Sequence, residues 1–270
     1  MLNDGQLQEL DNRGFLVIEN FISSVECAAL LEAYQRDIEI DGEHRIFEDD
    51  GEVVRAVYAS HVRQPEFHAL VRTPRLLSTA QQVLGADVYV YQFKINCKAP
   101  FTGGGWSWHQ DFTAWQLLDN LKTPRLINFG IFFDEVSEFN GPIVFVPGSH
   151  KRGTIQRALA RDANSSIKHL DPNDIALTSA EMTELVDRYG LESAKGEAGT
   201  AILFSPEIVH GSMPNVSPFP RRVLIGTYND ISNVPPTSGK PREAYLVGRD
   251  ATPLKSELSQ YFSSAVGARQ

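Results

Sequence analysis

From Asp87 onward the chain is cut into short apolar runs by glycine and proline, and this limits its fold more than any other feature. Strand-like stretches recur at 87–97, 126–134, 143–146, 200–204 and 222–228. Pro142, Pro147, Gly148, Pro206, Pro214, Pro218 and Pro220 punctuate them. Many short strands with such turns predict a mainly β fold, a sandwich or jelly roll. Within 87–97 the side-chain period of two puts Gln92, Lys94 and Asn96 on one face and Tyr91, Phe93, Ile95 and Cys97 on the other.

The first third reads differently. Residues 14–18 form a short strand-like run, and Ser23 with Glu26 makes a capping box ahead of a helical stripe. Thr73, Pro74 and Gly85 mark the ends of a second helix. Residues 151–199 are polar, with a helix predicted at 181–189. They carry too little apolar surface to fold alone, so an insertion or lid is expected. The chain is read as one domain over 1–270, with a jelly-roll core at 87–230 flanked by N-terminal helices.

Charge and cysteine narrow the function. Asp plus Glu number 34 against 25 Lys plus Arg, so the net charge of −9 offers no electrostatic grip on nucleic acid or anionic lipid. No apolar run approaches the roughly 20 residues needed to cross a bilayer, and the N-terminal residues do not resemble a secretion signal. The longest candidate, 126–133, is interrupted by Asn128 and Gly130. Two cysteines, Cys27 and Cys97, make no disulfide framework, and a cytoplasmic location is expected. The partner expected is a small molecule; oligomeric state is not legible.

His109 and Asp111 flank Gln110, and in a strand such residues point to one side. With His210 they would give two imidazoles and one carboxylate, the facial set of non-haem Fe(II) oxygenases, which leaves coordination positions open. Zinc accepts the same ligands.

The blocks around these residues resemble the phytanoyl-CoA dioxygenase superfamily, and within it the ectoine hydroxylases. They are Tyr91-Gln92-Phe93-Lys94-Ile95-Asn96-Cys97-Lys98, Trp108-His109-Gln110-Asp111-Phe112-Thr113-Ala114-Trp115, Asn140-Gly141-Pro142 with Val146-Pro147-Gly148-Ser149-His150-Lys151, and His210-Gly211-Ser212 with the run from Asn215 to Arg221. The similarity spans roughly 14–235 in collinear order. It implies a double-stranded β-helix, a cupin-like jelly roll, with Fe(II), 2-oxoglutarate as cosubstrate and dioxygen. It also implies that Arg221 holds the cosubstrate carboxylate, helped by Ser212, and a guanidinium suits that task because it pairs bidentately and keeps its charge. Arg222 points to the opposite face; a slip of one residue would exchange the two.

Gln92 and Asn96 match family positions near the cosubstrate and substrate, and Lys94 between them could reach the pocket or leave at an edge. Trp115 matches an aromatic near the substrate and could equally be core. Arg55 could hold a substrate carboxylate or pair with an acidic neighbour, and Arg125 is a further candidate. The family's counterpart of His150 belongs to a structural turn, so His150 is not read as a ligand. Gln110, Thr113, Ala114 and Gln116 stand where ectoine hydroxylases carry serine, glutamate, threonine and histidine, and Leu118 follows in the same rewritten stretch. If those residues face the pocket, they favour an aliphatic substrate. Hydroxylation of a free aliphatic L-amino acid such as leucine is therefore the first expectation, with ectoine or another small metabolite as the alternative. Asp111 fills the position that related halogenases leave open for chloride, so hydroxylation is expected. A non-catalytic jelly-roll binding protein and a zinc hydrolase are the competing classes.

Overall fold

The computed structural model describes residues 1–48, 51–158, 172–236, 241–257 and 259–262. The N-terminal third builds helices where its caps direct them. Asn3 and Gln6 cap α1 (Asp4–Arg13) reciprocally. β1 (Phe15–Ile18) follows, and Ser23 with Glu26 caps α2 (Ser24–Ile38) in the same way. Gly14 between α1 and β1 has φ 79°, and a Cβ there would stand 2.3 Å from His150 Nδ1. His150, whose Nε2 lies 3.0 Å from the Asp11 carbonyl, is thus occupied in holding this corner. Next come β2 (Arg45–Phe47), β3 (Val54–Tyr58), α3 (Pro65–Leu70) and α4 (Pro74–Leu84). Thr73 precedes α4 as expected, but its hydroxyl donates to the Leu70 carbonyl rather than capping the helix.

The remaining elements are β4 (Val88–Lys98), β5 (Trp106–His109), α5 (Asp111–Asp119), β6 (Leu126–Phe132), β7 (Ile143–Phe145), α6 (Ser179–Tyr189), β8 (Glu192–Ala194), β9 (Ala201–Phe204), β10 (His210–Ser212) and β11 (Arg221–Asp230). They form two antiparallel sheets, ordered β1-β9-β6-β11-β4-β3-β2 and β5-β10-β7-β8. This is the expected jelly roll with flanking helices. The major sheet extends beyond 87–230, because β1, β2 and β3 join it. Part of the segment read as an insertion, 159–171, lies outside the described residues. Beyond it, β8 pairs with β7, and Met182 and Leu185 of α6 pack on Val146 and Val209.

The period of two sorts the side chains. Phe93, Ile95, Phe129, Ile131, Leu203 and Leu224 face outward onto Leu30, Tyr34, Phe67 and Leu77 of the helices. Phe132, Ile202, Phe204, Val223 and Ile225 face inward and meet Phe15 and Phe145. Both faces are covered, which is why β6 is buried at every residue. Gly130 is needed there: a Cβ would come within 2.7 Å of Ile202.

One residue breaks the alternation. Thr227 lies opposite Gln92 but Tyr228 lies opposite Val90, so Tyr91 is the extra residue of a β-bulge. Tyr91 therefore does not share the face of Phe93. It packs edge-on against Trp115, with centroids 5.1 Å apart. From Gln92 onward the expected faces hold.

His61, in the short turn Ser60–Val62, lies 4.9 Å from the Phe93 ring, and its buried Nδ1 has no hydrogen-bond partner. Burial pushes its pKa down to about 3, aided by the cations Arg72, His68 and Arg63. In the unfolded chain an imidazole takes its proton near pH 6.5. Between about pH 6.5 and 3 the unfolded state thus binds more protons, and stability falls as pH falls. His61→Phe is expected to remove that part of the acid loss. The difference in unfolding midpoint between variant and parent should be constant above pH 7.5 and grow in the variant's favour toward pH 4. A constant difference down to pH 4 would contradict it.

Among the described residues, no helix is long and apolar enough to cross a membrane.

Candidate active site

β5 ends at His109, and Asp111 opens α5 rather than continuing a strand. Gln110 between them is still extended, with φ −113° and ψ 133°, so the two side chains emerge on one side. β10 pairs with β5 and sets His210 opposite His109, with ring centroids 4.4 Å apart. One ligand atom from each of His109, Asp111 and His210 lies within 4.8 Å of the others. Nε2 of His109 is 3.6 Å from Asp111 Oδ1, and Nε2 of His210 is 3.9 Å from Oδ2.

The surroundings prepare these atoms for a metal. His109 Nδ1 lies 2.6 Å from the Ser107 carbonyl and His210 Nδ1 lies 3.1 Å from that of Ile208. A carbonyl only accepts, so each Nδ1 carries the proton and each Nε2 lone pair faces the cluster. Burial, and then the neighbouring His109 imidazole, lower the His210 pKa to about 4, which keeps it neutral. Burial works against the Asp111 charge, but His210, His109 and Lys94 outweigh it and hold the carboxyl below the usual range. Asn128 Nδ2 donates to Asp111 Oδ2 at 2.9 Å, and Asn128 Oδ1 accepts from Thr227 at 2.6 Å. That chain fixes the carboxylate. Gln110 donates to the Gly153 and Glu207 carbonyls and accepts from the Ile155 amide, tying the His109 and His210 segments together. Two neutral imidazoles and one oriented carboxylate suit Fe(II) and leave its other positions to small ligands.

The triad borders a cavity of about 830 Å³, counting its open mouth. Register orders its floor. Along β4 and β11 the inward pairs run Lys98 with Arg221, Asn96 with Val223, Lys94 with Ile225 and Gln92 with Thr227. At the first end Arg221 is 2% exposed and its Nε and Nη2 donate to the Gly141 carbonyl, at 3.0 and 2.6 Å. Among the described residues no carboxylate pairs with it, and burial lowers its pKa to about 10. Lys98 opposite it donates to the Met213 carbonyl, and burial and then the Arg221 charge push it down to about 6. Ser212 Oγ and Asn96 Oδ1 are buried here without a hydrogen-bond partner. A buried cation without an anion, beside two unsatisfied polar atoms, is costly unless a ligand completes it. Arg222 faces outward and pairs with Asp134.

The other end holds Gln92, Lys94, Trp115, Ala114 and Tyr58, with Arg242 from the C-terminal segment. Gln92 Nε2 donates to the Leu246 carbonyl at 3.2 Å. Arg242 pairs with the fully buried Asp119, which also accepts from Tyr91 OH at 2.5 Å.

Of the expected site residues, the structure brings His109, Asp111, His210, Gln92, Asn96, Ser212, Arg221 and Trp115 to one cavity. It does not bring Arg55, which pairs with Glu48, or Arg125, which is half-exposed and pairs with Asp230. The rewritten stretch is helical, and of Thr113, Ala114, Gln116 and Leu118 only Ala114 lines the cavity. Thr113 instead bonds Gln110 and the Ile155 carbonyl. Sequence reasoning missed Asn128 and Arg242. Asn128 carried a signal, a lone amide inside an apolar strand; Arg242 carried none.

A jelly roll that seats two histidines and a carboxylate in its inter-sheet cavity defines a non-haem dioxygenase. The chain belongs to the phytanoyl-CoA dioxygenase family, whose model matches residues 10–223. It is 35% identical over 257 residues to an ectoine dioxygenase of Nocardia farcinica, covering 92% of this chain and 86% of the relative. It is 36% identical over 219 residues to the L-proline trans-4-hydroxylase of Streptomyces griseoviridis, covering 77% and 79%. EctD from S. alaskensis, crystallised with 2-oxoglutarate and 5-hydroxyectoine, superposes with a TM-score of 0.82 at 27% identity, covering 95% of this chain and 87% of that one. Another structure of EctD contains bound Fe. Fe(II) and 2-oxoglutarate are accordingly the cofactor and cosubstrate of this dioxygenase.

Proposed function

We propose that this chain hydroxylates a small cyclic amino acid or cyclic amino-acid derivative, of the size of ectoine or proline. The observation that carries the reading is the polarity of the cavity: buried cations stand at both ends, with the triad between them. Arg221, Ser212 and Asn96 receive the far carboxylate of 2-oxoglutarate. Lys94 and Arg242 receive the carboxylate of the substrate, while Trp115 and Tyr58 wall its ring and Gln92 bonds its polar edge. Bound Fe(II), held by His109, Asp111 and His210, supplies dioxygen activation coupled to decarboxylation of 2-oxoglutarate to succinate. The residues of the chain decide which C–H bond faces that metal.

The relatives favour a cyclic zwitterion over leucine, since those reported above are named for ectoine and L-proline. Of the residues that favour an aliphatic side chain, Thr113, Gln116 and Leu118 do not line the cavity. To test the reading, incubate the Fe(II) protein with 2-oxoglutarate and, separately, ectoine, L-proline, L-leucine and an acyl-CoA. Succinate and a product one oxygen atom heavier are expected with ectoine or L-proline. Turnover of leucine or the acyl-CoA alone would overturn the substrate class. No succinate with any of them, and none without substrate, would favour a binding protein or a hydrolase.

A further inference from the structure

β3 and β5 belong to different sheets, so among the described residues the seam between them carries no β ladder. Ile46 lies opposite Ala56 and Phe47 opposite Val54, so Arg55 is the extra residue of a bulge in β3. Bulges re-aim a side chain. Here the guanidinium crosses the seam: Nη1 meets Glu48 Oε2 at 2.8 Å and Nη2 donates to the Gly105 carbonyl at 3.0 Å. Its carbon sits 4.3 Å from the centroid of the Trp106 ring. Glu48 Oε1 accepts from the Gly104 amide at 3.3 Å. Both side chains are largely shielded, at 21% and 16% exposure. Trp106 lines the cavity and lies opposite Ser212 in the register of β5 and β10, level with the end that holds Arg221.

We propose that Arg55 is a positioning residue: with Glu48 it clasps Trp106 and the Gly104–Gly105 segment over the cosubstrate end of the cavity, and so sets the affinity for 2-oxoglutarate. This rests on the placement of the cosubstrate carboxylate at Arg221. A charge pair strengthens as water is excluded from it, because the effective dielectric falls. The Trp106 ring supplies that exclusion. The stack on the ring and the fork to two acceptors need the planar guanidinium, which an ammonium does not reproduce.

Two variants open the clasp from opposite sides. Arg55→Lys keeps the charge opposite Glu48 but loses the fork. Gly104→Ala keeps both charged side chains but places a Cβ 2.9 Å from Arg55 Nη1, the atom that meets Glu48. Gly104 is not among the positive-φ glycines, so alanine suits its backbone. Titrate 2-oxoglutarate calorimetrically into each Fe(II)-loaded protein without dioxygen. Each variant is expected to bind it about tenfold more weakly, the low end of what losing a supporting residue costs a site. Acrylamide quenching of tryptophan emission should rise in both, and the rise should vanish in a Trp106→Phe background. Arg221→Ala, titrated alongside, separates the two readings. If Arg221→Ala binds normally, the cosubstrate placement fails. If it binds weakly while Arg55→Lys and Gly104→Ala bind like the parent, the clasp alone is refuted. A lowered unfolding midpoint with unchanged affinity also refutes it, because that is what a merely structural pair would give.

Discussion

Asp111→Ala is expected to abolish hydroxylation. The carboxylate is the one anion among the three proposed ligand side chains, and its neighbours Lys94 and Asn128 offer no second one. Removing it leaves two neutral imidazoles, which hold a divalent ion far less firmly than a set that includes an anion. Losing even an outer-shell partner typically costs about 10–100-fold in metal affinity. Losing a ligand is expected to cost at least about a hundredfold. The variant also strands the Asn128 amide, whose Nδ2 donates to Asp111 Oδ2 at 2.9 Å. The checks are iron titration against a competing chelator, succinate formation, and a folding control by circular dichroism. Full hydroxylation by the purified variant at Fe(II) levels that saturate the parent would remove Asp111 from the triad.

The residues that sequence reasoning located share one property: a short-range rule decides where they point. His109 and Asp111 are two apart in extended backbone, so they emerge together even though Asp111 begins a helix. Gln92, Lys94 and Asn96 share the inner face by the same period, as do Arg221 and Val223. The failures arise where a second strand or a distant segment decides. Tyr91 changes sides because β11 skips a residue opposite it. Arg55 leaves the face it would have had for a related reason, a bulge against β2.

Asn128 reads locally as an interruption of an apolar strand. Only the folded chain shows that it stands between Thr227 and Asp111. Arg242 reaches the cavity because its segment follows β4: Gly248 donates to the Tyr91 carbonyl and Leu254 to that of Val88. No periodicity in 241–257 announces this. The stretch after Asp111 differs from expectation in the role of its side chains, because it is helical. As a helix it turns Ala114 and Trp115 to the cavity and Thr113 toward Gln110.

Arg221→Ala is expected to raise the apparent Michaelis constant for 2-oxoglutarate at least about a hundredfold. Breaking a buried ion pair by removing one partner typically costs about 3–5 kcal/mol. With about 1.4 kcal/mol for each tenfold, that is two to three decades or more. The effect on folding should be small by comparison. Arg221 loses its bonds to the Gly141 carbonyl, but the variant also removes a buried charge that no carboxylate pairs among the described residues. Arg222→Ala makes the opposite pattern. It breaks the outward pair with Asp134, which also accepts from the Arg222 backbone amide, so the unfolding midpoint should fall. Its Michaelis constant should stay within about twofold of the parent, a change under 0.5 kcal/mol. The register of β11 makes these two neighbours distinguishable, since Arg221 lies opposite Lys98 facing the cavity while Arg222 lies opposite Cys97 facing the helices. Measuring both variants at saturating Fe(II) over a wide range of 2-oxoglutarate decides the matter. If the large effect followed Arg222 and spared Arg221, the cosubstrate would not sit between the sheets at this end of the cavity.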